Sequence, residues 1–213
     1  MWIEASGSIS CRAWNKPLFL YEISTPAMTV SLKKRKISVE DYHKMIAAGI
    51  LSKEDKVELI NGEIIEMSPI GSNHSGIVNR LNAFFIRTLG ERAIVSVQNP
   101  VILSDLSEPE PDLAILYPRD DFYSKNHPHP EDVYLIIEVA DSSIDYDREI
   151  KLSYYAQAGI PEYWIVDLEQ RHIEAYRSPE KDYYKLREII SPKDEVVFHA
   201  FEISISAHEL IGH

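Results

Sequence analysis

Three features of the sequence predict a mixed α/β domain of the α+β kind, with a central mixed sheet flanked by helices. Tyr134 to Ala140 (YLIIEVA) is an almost continuous apolar run, the pattern of a strand buried on both faces. Asp145 to Ala158 follows with helical character, stops at Gly159, and leads at crossover spacing into the strand-like Glu162 to Asp167 (EYWIVD), which implies a parallel pair. The remaining segments RHIEAYR, DYYKLREI and EVVFH then alternate as antiparallel strands on an edge, before AHELI as a short terminal helix.

The earlier elements follow from local signals. Residues 1–27 lack periodicity and read as a flexible N-terminal extension. The folded unit, a single domain over 28–213, is expected to open at Met28 with the basic lead-in SLKKRK. Ser38 followed by Asp41 approximates a capping box, Val39, Tyr42 and Ile46 share one helical face, and Gly49 suits the stop. In VELINGEIIEM two β-rich runs flank Asn61-Gly62, the dipeptide best suited to the positive φ angles of a type I′ turn. Between Ser72 and Leu89 the residues Ile77, Leu81, Phe84, Phe85 and Ile86 keep a helical stripe that Gly90 closes. Ala93 to Val97, Val101 to Leu103 and Leu113 to Tyr117 read as strands.

Composition bounds the function. The chain has 213 residues, 45% hydrophobic and 26% charged, with 12 prolines and 8 glycines, which excludes disorder, collagen and coiled coil and suits one domain. Cys11 is the single cysteine, so neither an internal disulfide nor a thiolate zinc cage can form, and a reducing cytoplasm is the expected compartment. The longest apolar stretch, Val133 to Ile137, falls far short of the roughly 20 residues that span a bilayer, and no secretory signal is evident. A net charge of −12 argues against broad attraction to phosphate backbones, so a nucleic-acid substrate would require something to neutralise the acids.

Those acids are concentrated. From Asp105 to Glu149 there are thirteen acids against three bases, and most suit solvated loops. Two do not. Glu138 interrupts YLIIEVA, where an unpartnered carboxylate would cost several kcal/mol, and Asp112 opens the neighbouring strand after Glu-Pro-Glu-Pro. If those strands pair, the two carboxylates converge at one edge of the sheet, a plausible oxygen site for a hard cation such as Mg²⁺. Lys151 lies on the following helix, one turn after Asp147 and one before Tyr155, where its ammonium could reach back to orient a water or stabilise phosphorane charge. A purely structural Glu138–Lys151 ion pair is the plain alternative. Asp147 is explained by local pairing with Lys151 or Arg148, and Tyr155 by aromatic filling with Tyr154 and Trp164.

Pro111-Asp112, then IIEVADSS with Glu138, then DREIKLSYYAQAGIPEYWIVD with Lys151, resemble the Uma-two family of nucleases with the restriction-endonuclease-like PD-(D/E)XK fold. The resemblance runs from about Lys36 to Leu210 and takes in the VELINGEI hairpin and His74. It implies a four-stranded mixed core sheet flanked by helices, Mg²⁺ or Mn²⁺ on Asp112 and Glu138, and Glu58 as an additional metal-binding acid. The lysine of a plain Glu-x-Lys motif would fall at Ala140, so the catalytic ammonium would come from Lys151 instead. His74 could contact a phosphate or a water, or merely cap its helix. Gln98 could hydrogen-bond the lysine or the substrate.

The expectation is a Mg²⁺-dependent endonuclease acting on nucleic acid, DNA first, with Asp112, Glu138 and Lys151 catalytic. Two rivals are a non-catalytic binding or assembly module of the same fold, and a two-carboxylate glycosidase with Glu138 as acid. A homodimer through Trp164 or the edge tyrosines Tyr176, Tyr183 and Tyr184 stands beside interior packing as a reading of those residues.

Overall fold

The computed structural model describes residues 34–212. The expected extension over 1–27 and the expected opening at Met28 lie outside the described residues. Helix α1 (Val39–Ala47) starts where Ser38 Oγ accepts the Asp41 N–H at 3.1 Å, and it buries Val39 and Tyr42. Ile46, expected on the same inward face, is instead exposed and lines a cleft.

Strands β1 (Val57–Ile60) and β2 (Glu63–Glu66) form the hairpin, with Asn61 at φ 49° and Gly62 at φ 74°. Gly62 is needed twice over, because a Cβ there would also lie 2.6 Å from Lys36 Cβ. The hairpin is fixed by the antiparallel bridge Leu59↔Glu108 and by Gly62 N–H donating to Leu106 O at 2.7 Å.

Helix α2 (Ser72–Leu89) buries Ile77, Val78, Leu81, Phe84, Phe85 and Leu89, while Ile86 stays exposed outside that stripe. Then come β3 (Ile94–Val97), β4 (Leu113–Leu116) and β5 (Val133–Ala140). The expected strand at Val101–Leu103 does not form. Val101 and Leu103 instead donate to Pro109 O and Ser107 O, folding the segment onto a loop whose Pro109 and Pro111 have no N–H for a ladder.

The predicted single helix is three pieces: α3 (Ile144–Tyr146), a π turn over Asp147–Lys151, and α4 (Leu152–Ala158), which ends at Gly159. Strands β6 (Glu162–Asp167), β7 (His172–Glu180) and β8 (Tyr183–Ile190) complete a six-stranded sheet in the order β3-β4-β5-β6-β7-β8. Only β5 and β6 run parallel, across the helical crossover. The sheet therefore extends the expected four-stranded core by the β7–β8 hairpin. Strand β9 (Glu195–Phe198) does not join that edge. It pairs with β10 (Ile203–Ser206), a strand the sequence did not reveal, ahead of α5 (Ala207–Ile211).

Strand parity sorts the core. Leu113, Ile115, Leu135, Ile137, Trp164 and Val166 face α2 and α5, whereas Ala114, Leu116, Ile136, Ala140, Tyr163 and Ile165 face Tyr155 and Ala156 of α4. Glu138 has the parity of Ile136 and Ala140, which puts its carboxylate on the α4 side. Trp164 is fully buried against Phe85 and Phe198 and donates its indole N–H to Glu162 Oε1 at 2.8 Å, so interior packing is its role. Tyr176 and Tyr184 are also buried, and Tyr183 is exposed. Among the described residues no helix is long and apolar enough to cross a membrane.

Candidate active site

At the end of the sheet where β4 begins and β5 finishes, Asp112 and Glu138 are linked through backbone. The Asp112 N–H donates to Glu138 Oε2 at 3.2 Å, and the Val139 N–H donates to Asp112 Oδ2 at 2.9 Å. The convergence expected from sequence is thus built by the antiparallel β4–β5 register, Leu113 opposite Ile137. A carboxylate held by backbone amides cannot swing away without losing them, which fixes its oxygens relative to the sheet.

The π turn supplies the cation. Lys151 Nζ lies 3.0 Å from Glu138 Oε1 and 3.2 Å from Glu58 Oε2. Glu58 is buried; its Oε2 also accepts the Glu110 N–H at 3.2 Å and its Oε1 the Tyr146 hydroxyl at 3.3 Å. His74, in the first turn of α2, reaches Asp112 Oδ2 through Nε2 at 3.0 Å, and Gln98 Nε2 donates to Asp112 Oδ1 at 3.2 Å. All six residues singled out in the sequence therefore line one cleft of ≈ 680 Å³. Gln98 adopts φ +49°, and its own N–H donates to Asp112 O at 3.1 Å. A left-handed backbone in a residue with a side chain is tolerated only where surroundings fix it.

Three contributors were missed. Tyr155 is not simple filling: its hydroxyl donates to Glu138 Oε1 at 2.7 Å. Asp147 is buried in the cleft wall and accepts the Ser143 hydroxyl at 2.7 Å. Its spacing from Lys151 placed both on one helical face, a signal that local ion pairing had absorbed. Glu110, two residues before Asp112, also lines the cleft.

Electrostatics show a surplus of negative charge. Burial, opposed by Lys151, pushes Glu138 up to about 8, and burial likewise pushes Asp147 up to about 6 against Lys151 and the Ser143 hydroxyl. Burial and the neighbouring Glu58 raise Glu110. For Lys151 burial works against the charged form, but Glu138, Glu58 and Asp147 outweigh it and hold it well above the ordinary range. It is therefore a fixed cation, not a base. Burial lowers His74, but its hydrogen bond to Asp112 together with the charges of Asp112, Asp141 and Asp147 raises it overall, and His74 Nδ1 is buried without a hydrogen-bond partner.

Carboxylates whose charged form is disfavoured by burial gain from an added divalent cation, and every acidic donor here is a hard oxygen, as Mg²⁺ and Mn²⁺ prefer. The spacing is open. Among the described residues, the trios of His or acidic ligand atoms lying within 4.8 Å of one another are two others, His43–Glu108–His127 and Asp167–His172–Glu174. Lys151 stands between Glu58 and Glu138. A hard ion that keeps several waters needs only one or two protein carboxylates, so Asp112 with Glu138 fits where an all-protein cage would not.

Sheet, crossover and carboxylate–lysine cleft together define a restriction-endonuclease-like protein. The family model described as "Uma2: Putative restriction endonuclease" matches residues 39–208. The chain belongs to the Uma2 family. Its fold is similar to a crystal structure of "a putative nuclease belonging to DUF820 from Anabaena variabilis ATCC 29413", with a TM-score of 0.63 and 17% identity over 82% of this chain and 97% of that one. No curated protein matches the chain significantly.

Proposed function

We propose that the cleft hydrolyses phosphodiester bonds in nucleic acid, DNA first, with Mg²⁺ or Mn²⁺ on Asp112 and Glu138. The observation that carries this reading is Lys151 Nζ at 3.0 Å from Glu138 Oε1, while the other oxygen of the same carboxylate is tied to the Asp112 backbone. When bound, the divalent ion would polarise a phosphoryl oxygen and acidify an attacking water.

The protein's own residues have separable roles. Lys151, permanently charged, stabilises negative charge gathering on phosphorus and orients a water by donation. Tyr155 and Lys151 fix the rotamer of Glu138 from one side, and the Asp112 N–H fixes it from the other. Glu58 positions the lysine in this reading, and Tyr146 holds Glu58 in turn. His74 Nε2 and Gln98 Nε2 hold the two oxygens of Asp112 and so orient it. The net charge of −12 limits binding beyond the site, so the divalent ion supplies the phosphate attraction that the surface lacks.

A second reading has its own support. The ion pairs of Lys151 satisfy it without any ligand, which is what a non-catalytic binding module would retain. Incubating labelled single- and double-stranded DNA and RNA oligonucleotides with Mn²⁺ distinguishes the two. Products with new termini that Glu138→Ala abolishes support hydrolysis, and DNA cut in preference to RNA supports the stated substrate. Intact oligonucleotides in every lane support the module.

A further inference from the structure

We infer that His43, Glu108 and His127 form a second metal site, of the zinc class, separate from the carboxylate cleft. Their ligand atoms all lie within 4.8 Å of one another. His43 Nε2 is 2.9 Å from Glu108 Oε1 and 2.7 Å from Oε2, and the two imidazole rings meet edge to face with centroids 6.1 Å apart. Two ligands each about 2.1 Å from one tetrahedral ion lie about 3.4 Å apart, so a metal can replace the hydrogen bond between His43 and Glu108 once the two part by roughly half an ångström.

The donor set separates this place from the carboxylate cleft. Two imidazoles and a carboxylate are borderline ligands that suit Zn²⁺, whereas the oxygen-only cleft suits a hard ion. Three protein ligands leave a fourth position open, and both imidazoles line a cleft of ≈ 740 Å³ that solvent can enter. Glu108 is buried, which keeps its charge poorly screened and favours a cation beside it.

Each ligand stands on an anchored element. Glu108 exchanges backbone hydrogen bonds with Leu59 at 2.7 and 3.3 Å. His43 follows Tyr42, whose hydroxyl donates to Val57 O at 3.0 Å. His127 lies between Asn126, whose carbonyl accepts from Arg119 Nη2 at 3.1 Å, and Pro128, whose carbonyl accepts the Ile102 N–H at 3.0 Å. Bound zinc would therefore clamp the 119–129 loop onto α1 and the 101–108 segment. The trio Asp167–His172–Glu174 is different, because Arg148 pairs with both of its acids and so takes the cation's place.

The test is calorimetric titration of ZnCl₂ into the chelator-stripped full chain at pH 7.5 without nucleic acid, with Co²⁺ absorption as a second readout. One equivalent should bind, with a tetrahedral Co²⁺ band and a raised melting temperature. His43→Ala and His127→Ala should each weaken binding at least tenfold, while Asp112→Asn and His172→Ala leave it unchanged. His127→Ala, in a loop, guards against a variant that fails to fold, and circular dichroism verifies that it has not. No zinc uptake, uptake indifferent to both histidine variants, or uptake lost only in Asp112→Asn or His172→Ala would each overturn the inference.

Discussion

Tyr155 donates its hydroxyl at 2.7 Å to Glu138 Oε1, the same oxygen that Lys151 approaches at 3.0 Å. One buried carboxylate oxygen thus collects a neutral and a charged donor from successive turns of one helical segment. Tyr155→Phe keeps the ring and removes only the hydroxyl. A hydrogen bond to a charged group contributes about 1.5–3 kcal/mol, so the variant should melt several degrees lower. Cleavage, in the proposed reading, should fall about tenfold as Glu138 loses its orientation. Paired thermal melts and cleavage rates check both outcomes.

Lys151→Met should be more severe, because it leaves Glu138 and Glu58 buried with no cation. Breaking such a pair costs about 3–5 kcal/mol. Adding Glu138→Gln and Glu58→Gln should restore most of that loss, since the charges needing compensation are then gone. Urea denaturation of the single and triple variants at pH 7 measures the difference, and the triple variant should remain without cleavage activity.

Acid should weaken the fold through Glu174. Its carboxylate is fully buried and accepts from Arg148 Nε at 2.9 Å, Arg187 Nη2 at 2.9 Å, His172 Nε2 at 3.1 Å and the Tyr176 hydroxyl. Burial alone would raise its pKa, but the donors of Arg148, Tyr176 and His172 outweigh it and hold Glu174 down at about 2. A depressed carboxylate stabilises the fold fully above its unfolded value and loses that contribution as pH falls through the window from about 4.5 to 2. The size is on the order of 3 kcal/mol. Glu174→Gln should lower stability at pH 7 and flatten this part of the acid limb, read from unfolding free energies between pH 7 and 2.5.

Gly62→Ala should destabilise by about 2 kcal/mol, combining a left-handed φ of 74° with a Cβ placed 2.6 Å from Lys36 Cβ. The hairpin carries Glu58, so local loosening should show as faster amide exchange at Leu59 and Ile60. Asn61→Gly, which accepts φ 49° freely, should leave the melting temperature within about 2 °C of wild type.

Much of this architecture was legible because residues and periods agreed. YLIIEVA is buried on both faces, Asn61-Gly62 forms its turn, and strand parity delivers Glu138 to the α4 side. Asp112, Glu138 and Lys151 were legible as a constellation because a carboxylate inside an apolar strand demands a partner. What stayed hidden depends on tertiary geometry. A π turn differs from an α turn in hydrogen bonding that no local pattern encodes, so the division of the single expected helix into three pieces was not evident. Tyr155 looked like filling because an aromatic residue reads as apolar until its hydroxyl has an address. Val101–Leu103 has strand-like residues, but the prolines opposite withhold the donors a strand would need. His43, Glu108 and His127 are far apart in sequence, and only the Leu59↔Glu108 bridge and the packing of α1 bring them together.

The most direct measurement is nicking of supercoiled plasmid by wild type, Asp112→Asn, Glu138→Ala and Lys151→Ala, each verified as folded, with Mg²⁺, with Mn²⁺ and with chelator. A metal-dependent endonuclease nicks only with the ion present, and all three variants lose nicking by at least a hundredfold. Equal inertness of wild type and variants with either ion, or nicking that persists in chelator or in folded Lys151→Ala, would contradict it.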